Sequence, residues 1–111
     1  MAVHFPFGAA ETLTLSATGA QALTVNNWLT YVDGVTTEAT GNRTLNLTLG
    51  DELKVGARII VAAKTNGTET TIAGTGATFV TVTGGAGKTK CFELVYTGAG
   101  FVATTGVIQI D

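Results

Sequence analysis

Apolar and polar residues alternate with a period of two along most of this chain, in short runs. Leu45, Leu47 and Leu49 alternate with Thr44, Asn46 and Thr48, and Leu13 and Leu15 with Thr12 and Thr14. Further along, Phe92, Leu94 and Tyr96 alternate with Cys91, Glu93 and Val95, and Val80 and Val82 with Phe79 and Thr81. Such alternation puts one set of side chains on each face of a strand. Other apolar runs lie at 21–26, 28–32, 58–63, 101–104 and 107–110. Turn residues separate them: Ala17-Thr18-Gly19, Asn26-Asn27, Asp33-Gly34, Gly50-Asp51-Glu52, Asn66-Gly67, Gly84-Gly85-Ala86-Gly87 and Thr97-Gly98-Ala99-Gly100. The spacing predicts an all-β chain, an antiparallel β-sandwich or jelly-roll-like fold of roughly eight to ten short strands.

Two of the turns carry hairpin signals. Asn66-Gly67 predicts a type I′ turn joining Ile59–Lys64 to Glu69–Ala73, and Asp33-Gly34 a second hairpin with Val35–Ala39 as its return strand. Thr40-Gly41-Asn42-Arg43 reads as a loop. No fixed repeat points to a solenoid. Residues 1–10 read as an extended N-terminal arm and residues 11–111 as one β-sandwich domain. In the arm Pro6 fixes its own φ and holds Phe5 extended. Val3, His4, Phe5 and Phe7 are the candidate partner-binding residues, because two phenylalanines and a valine are poorly placed in water.

Composition changes the picture in one respect. Of 111 residues, 45% are hydrophobic and only 13% charged, about half the charged share of an average soluble domain. Mean hydropathy is +0.37. Such a chain cannot cover itself with charge, and large exposed apolar patches mark partners. Net charge is −2 and the few Lys and Arg are scattered, which excludes a general nucleic-acid binder. No apolar run approaches the roughly 18 residues of a membrane-spanning helix. The first seven residues lack the basic leader and long apolar stretch of a signal peptide.

Candidate chemistry is sparse. Gly84-Gly85-Ala86-Gly87-Lys88-Thr89 invites comparison with a P-loop, but Val82 stands where the first glycine belongs and a strand follows where a helix is needed. His4 is the single histidine and has no companions for a metal or base role. Cys91 is the single cysteine, so no intrachain disulfide can form, and it reads as a buried, inert thiol. Asp33, Asp51 and Glu52 fall in turn-like sequence, where solvated surface is the default. Trp28, Tyr31, Tyr96 and Phe101 could form a sugar-stacking platform, although core or interface packing is the commoner fate of such residues. No catalytic residue, cofactor or metal ligand is assigned, and no enzymatic activity is expected.

Four segments carry a resemblance: Leu45-x-Leu-x-Leu, the run from Leu53 to Val61, Thr71-Ile72-Ala73-Gly74-Thr75-Gly76, and the run from Phe92 to Val102. Together they resemble small all-β structural modules of tailed bacteriophages, found in head decoration (cement) proteins and in head and tail fibres. Phe101 stands where those modules often carry Trp. The resemblance implies a homotrimer without enzyme activity. The absence of a collagen-like or coiled-coil shaft directs it toward a capsid decoration protein, made in the host cytoplasm and bound on the virion surface to the major capsid protein. The alternative is a receptor- or glycan-binding fibre domain, using Trp28 and Tyr31 or the 84–88 loop.

Overall fold

The computed structural model describes residues 10–74, 77–83 and 87–110, with the backbone alone for 77–79. Ten strands appear among the described residues: β1 (Ala10–Thr14), β2 (Gly19–Val25), β3 (Leu29–Gly34), β4 (Arg43–Leu49), β5 (Arg58–Thr65), β6 (Glu69–Gly74), β7 (Ala77–Thr83), β8 (Lys88–Tyr96), β9 (Phe101–Ala103) and β10 (Ile108–Gln109). They form two sheets, as the alternation predicts. Sheet A runs β1-β3-β5-β8, with β9 and β10 both pairing β8; sheet B runs β2-β4-β6-β7. Ala10, the last residue assigned to the arm, belongs to β1, opposite Leu29. Val3, His4, Phe5, Phe7 and most of the 84–88 loop lie outside the described residues.

The strand directions depart from the antiparallel expectation. The chain crosses from one sheet to the other after each of its first five strands, so β1, β3 and β5 are parallel neighbours, as are β2, β4 and β6. A parallel pair needs a long crossover. Here a strand of the opposite sheet supplies it. Only later does the chain reverse: β7 pairs β6, β8 pairs β5, and β9 and β10 pair β8, all antiparallel. In sheet A, Ala10 lies opposite Leu29 and Leu29 opposite Arg58; in sheet B, Gly19 lies opposite Arg43 and Arg43 opposite Thr70. These circuits differ in length, and so the winding leaves no repeat in the sequence.

Both predicted hairpins are absent. β5 lies in sheet A and β6 in sheet B, and Asn66-Gly67 is the corner between them. A type I′ turn needs positive φ at both central residues. Gly67 has φ of 70°, but among the described residues only glycines have positive φ. Gly34 ends β3, and residues 35–42 cross to sheet B instead of returning alongside it. Gly34 is required for closeness: a Cβ there would lie 2.9 Å from the Ala62 carbonyl oxygen and 3.1 Å from the Ala63 Cα.

The core lies between the sheets. Val32, Ile59, Val61, Phe92 and Leu94 project from sheet A and Val25, Leu45, Leu47, Ile72 and Val82 from sheet B, all nearly inaccessible to solvent. Phe101 closes one end, its ring 5.5 Å from that of Tyr96. Tyr96 and Phe101 are thus core neighbours and not a sugar platform.

Arg43 opens β4 with its side chain inside, only 2% exposed. The loop reading of this residue was therefore wrong. Its guanidinium makes five hydrogen bonds: Nε donates to Thr70 Oγ1 (2.9 Å), one terminal nitrogen to the carbonyls of Ser16 (3.1 Å) and Thr37 (2.8 Å), the other to those of Gly34 (2.8 Å) and Lys64 (3.3 Å). These acceptors sit on the β1–β2 turn, β3, the 35–42 crossing, β5 and β6. One planar fork with five donors thereby ties together the β1–β2, β3–β4 and β5–β6 connections. Burial pulls the Arg43 pKa below its ordinary value, opposed by the charge of Asp33.

Asp33 organises the same corner. Its Oδ1 accepts from the amides of Val35 (2.9 Å) and Thr36 (3.0 Å), and its Oδ2 from the Thr36 hydroxyl (2.6 Å). The Thr36 hydroxyl, followed by the Thr36 amide, holds this carboxyl below the usual carboxylate range. A carboxylate depressed in the folded state favours the fold above the unfolded pKa, and that contribution is lost as pH falls through the folded pKa. Thermal melts taken from about pH 5 down to about pH 2 should show the midpoint falling, and Asp33→Asn should flatten that acid limb. An unchanged limb in the variant would remove Asp33 from the account.

Candidate functional site

The residues that stand out are on the outer face of sheet A. Residues opposite one another in neighbouring strands share a face, so the register defines three rows. The first runs Ala10, Leu29, Arg58, Val95, Val102; the second Thr12, Tyr31, Ile60, Glu93; the third Thr14, Asp33, Ala62, Cys91, Ile108. Tyr31, Ile60, Val102 and Ile108 are exposed at 36%, 37%, 49% and 53%. Leu29, Ala62, Cys91 and Val95 between them are half-buried. Cys91 is thus neither deep in the core nor fully exposed. The outer face of sheet B differs: Thr44, Asn46 and Thr48 on β4 and Thr71 and Thr81 on β6 and β7 point outward, the last two joined at 3.2 Å through their hydroxyls.

The charged groups in these rows are Arg58, Asp33 and Glu93. Arg58 and Glu93 approach to 4.0 Å, and Glu93 Oε1 also accepts from the Thr104 hydroxyl at 2.8 Å. Burial, with Asp33 and Cys91 nearby, pushes the Tyr31 phenol above its ordinary pKa. At neutral pH Tyr31 is therefore a neutral hydrogen-bond donor on an apolar surface.

A cavity of about 220 Å³ opens at the end of sheet A where β3 and β5 begin, lined by Trp28, Lys54, Val55, Gly56, Ala57 and Arg58. Its walls are pinned by main-chain bonds from Arg58 N to Trp28 O (2.9 Å), Gly56 N to Tyr96 O (2.8 Å) and Tyr96 N to Ala57 O (2.8 Å). Trp28 belongs to this cavity, while Tyr31 stands on the sheet face, so the two do not form one platform. The volume lies below the roughly 300–1,000 Å³ of drug-sized ligand sites and suits a single side chain or sugar ring. Asp51 and Glu52 sit at a second, polar depression with Thr24, Asn26, Leu49 and Gly50. Among the described residues no cluster of three or more His, Cys, Asp or Glu could hold a metal ion.

Sequence reasoning placed the candidate partner-binding residues in the arm, outside the described residues, and did not single out the sheet face. The signal was present. Ile59-Ile60-Val61-Ala62-Ala63 is continuously apolar, which is how a strand covered on both faces reads. The structure covers one of those faces. Compared with known proteins, the chain matches no family model and no curated protein.

Proposed function

We propose that this chain is a structural virion protein, a capsid decoration protein that binds the outer surface of a phage head and stabilises it by bridging capsomers. The observation that supports this reading is the outer face of sheet A, where Tyr31, Ile60, Val102 and Ile108 stay exposed on a chain that is only 13% charged. The mechanism is passive. Each copy removes apolar surface from water, at about 25 cal/mol per Å² before the costs of association, and repetition over the shell adds avidity. The partners are copies of the same chain and the major capsid protein. Val3, His4, Phe5 and Phe7 serve in this reading as the anchor on the shell or on a neighbouring subunit.

Cosedimentation with purified empty heads tests it. The intact chain should pellet with heads, and deleting residues 2–10 should abolish binding while the β-sheet circular dichroism spectrum persists. Undiminished binding after that deletion defeats the anchor role; no binding by the intact chain defeats decoration. The cavity holding Trp28 between Lys54 and Arg58 favours a second reading, a glycan-binding fibre domain. Specific retention of one host glycan on an array, without head binding, would select it.

A further inference from the structure

We infer that the free edge of sheet B along β2 is the seat of the chain's own first residues. Residues 3–5 lie along it as a further parallel strand, with Val3 and Phe5 turned into the gap between the sheets. This goes beyond the assembly reading, which puts the same residues on a shell or a neighbour. Here they have a place in the free chain, and anchoring requires that they leave it.

Three observations lead to this. First, the gap between the sheets is open at that end. β1 and β2 are the edge strands there, each with one partner among the described residues. Leu13 shares a row with Val32, Val61 and Phe92, and Leu23 lies beside Leu47. Those neighbours are at most 3% exposed, while Leu13 and Leu23 stay half-buried. Second, β2 carries none of the usual protections of an edge. Gly19-Ala20-Gln21-Ala22-Leu23-Thr24-Val25 has no charge and no proline, and its register with β4 is unbroken. Edges that stay unpaired use charges, prolines or bulges. β7, the opposite edge of sheet B, has an irregular register against β6, and Lys90 Nζ donates to its Thr83 carbonyl. Third, the winding leads the first residues here. β2 hands over to β3 and β4 to β5, both from sheet B to sheet A, at the level where Val25 lies beside Leu49 and where Ala10, Leu29 and Arg58 form a row. A segment that hands over to β1 in the same way arrives parallel to β2, on the side away from β4. With residues 6–9 as the crossing, the same length as the 15–18 crossing from β1 to β2, Phe5 stands beside Val25 and Val3 beside Leu23. Leu23 and Val25 face inward, so Val3 and Phe5 do too, over Leu13 and Leu23, and His4 faces out. Pro6 falls at the strand's end, where its missing N–H breaks no ladder.

Amide hydrogen exchange of the full chain, read residue by residue by NMR with no heads present, tests the placement. β4 bonds only alternate amides of β2, so without a further strand every second amide from Gln21 to Val25 exchanges fast. The intact chain should protect both sets. Phe5→Lys should speed exchange of the set turned away from β4 by at least about tenfold and leave the other set slow, because a lysine there enters an apolar gap. His4→Lys, one position away and facing outward, should leave both sets slow. An intact chain that protects only the β4-bonded set overturns the inference. So does Phe5→Lys with unchanged protection, or His4→Lys losing as much protection as Phe5→Lys. Protection that disappears on dilution shows that the strand comes from a second copy, and overturns it as well. Head binding is read separately by cosedimentation, so a failure here leaves the decoration reading standing, and a failure to bind heads leaves this placement standing.

Discussion

Replacing Arg43 with methionine will lower the thermal midpoint by about 15–20 °C, equivalent to about 4 kcal/mol. Methionine keeps the aliphatic stem and removes the guanidinium. The carbonyls of Ser16, Gly34 and Thr37 and the hydroxyl of Thr70 each lose the donor that Arg43 supplies. A buried acceptor without a partner costs about 1–3 kcal/mol. The Lys64 carbonyl is spared, since it also accepts from the Ala39 amide at 3.2 Å. Arg43→Lys should fall between the two, because an ammonium has three donors and no planar fork to reach five acceptors. The comparison is a thermal melt followed by circular dichroism. A midpoint for Arg43→Met within a degree or two of the parent would show that the turns hold without the fork.

The second large effect lies beside it. Gly34→Val will destabilise the chain by about 3 kcal/mol, at the upper end of what overpacking costs. The added Cβ alone would stand 2.9 Å from the Ala62 carbonyl oxygen and 2.9 Å from an Arg43 terminal nitrogen. Backbone on one side and a fully bonded guanidinium on the other leave no room to give. Because the two sites share the Arg43–Gly34 hydrogen bond, the double variant Gly34→Val/Arg43→Met should be less destabilised than the sum of the singles. Denaturant titrations of the three variants measure that coupling; strict additivity would show that the valine is accommodated elsewhere.

Strand number and facing were legible because they are local. Leu45 and Leu47 face the core and Thr44 and Asn46 do not, and nothing beyond a period of two is needed to say so. Leu49, next in that series, is 45% exposed, because β4 ends there and the core with it. Strand direction was not legible. Asn66-Gly67 and Asp33-Gly34 are turn sequences in any fold, and a corner between two sheets uses the same residues as a hairpin within one. What separates them is where the next strand finds its hydrogen-bonding edge, and that edge is supplied by residues tens of positions away. Arg43 was misread for a related reason. A charged residue beside Gly41 and Asn42 looks like loop, and only the convergence of several carbonyls, each from a different segment, gives the charge a place inside.

The same applies to the site. Ile60 and Tyr31 sit in runs whose apolar character is evident, but which of two faces the core takes is decided by the partner sheet. The arm drew attention because its phenylalanines have no polar alternation around them. The sheet face was hidden inside ordinary strand sequence.

The reversal of direction at β7 and β8 has a consequence for how the polypeptide is made. The six-strand winding has no internal reason to stop, since every added turn would find a fresh edge to join. The antiparallel β8 ends it in sheet A by occupying the side of β5 that a further parallel strand would take. Until Lys88–Tyr96 has left the ribosome, β5 is a bare, apolar edge of the kind that recruits other chains. Synthesis arrested before that point should therefore yield insoluble polymer, and the C-terminal strands double as a terminator against runaway stacking.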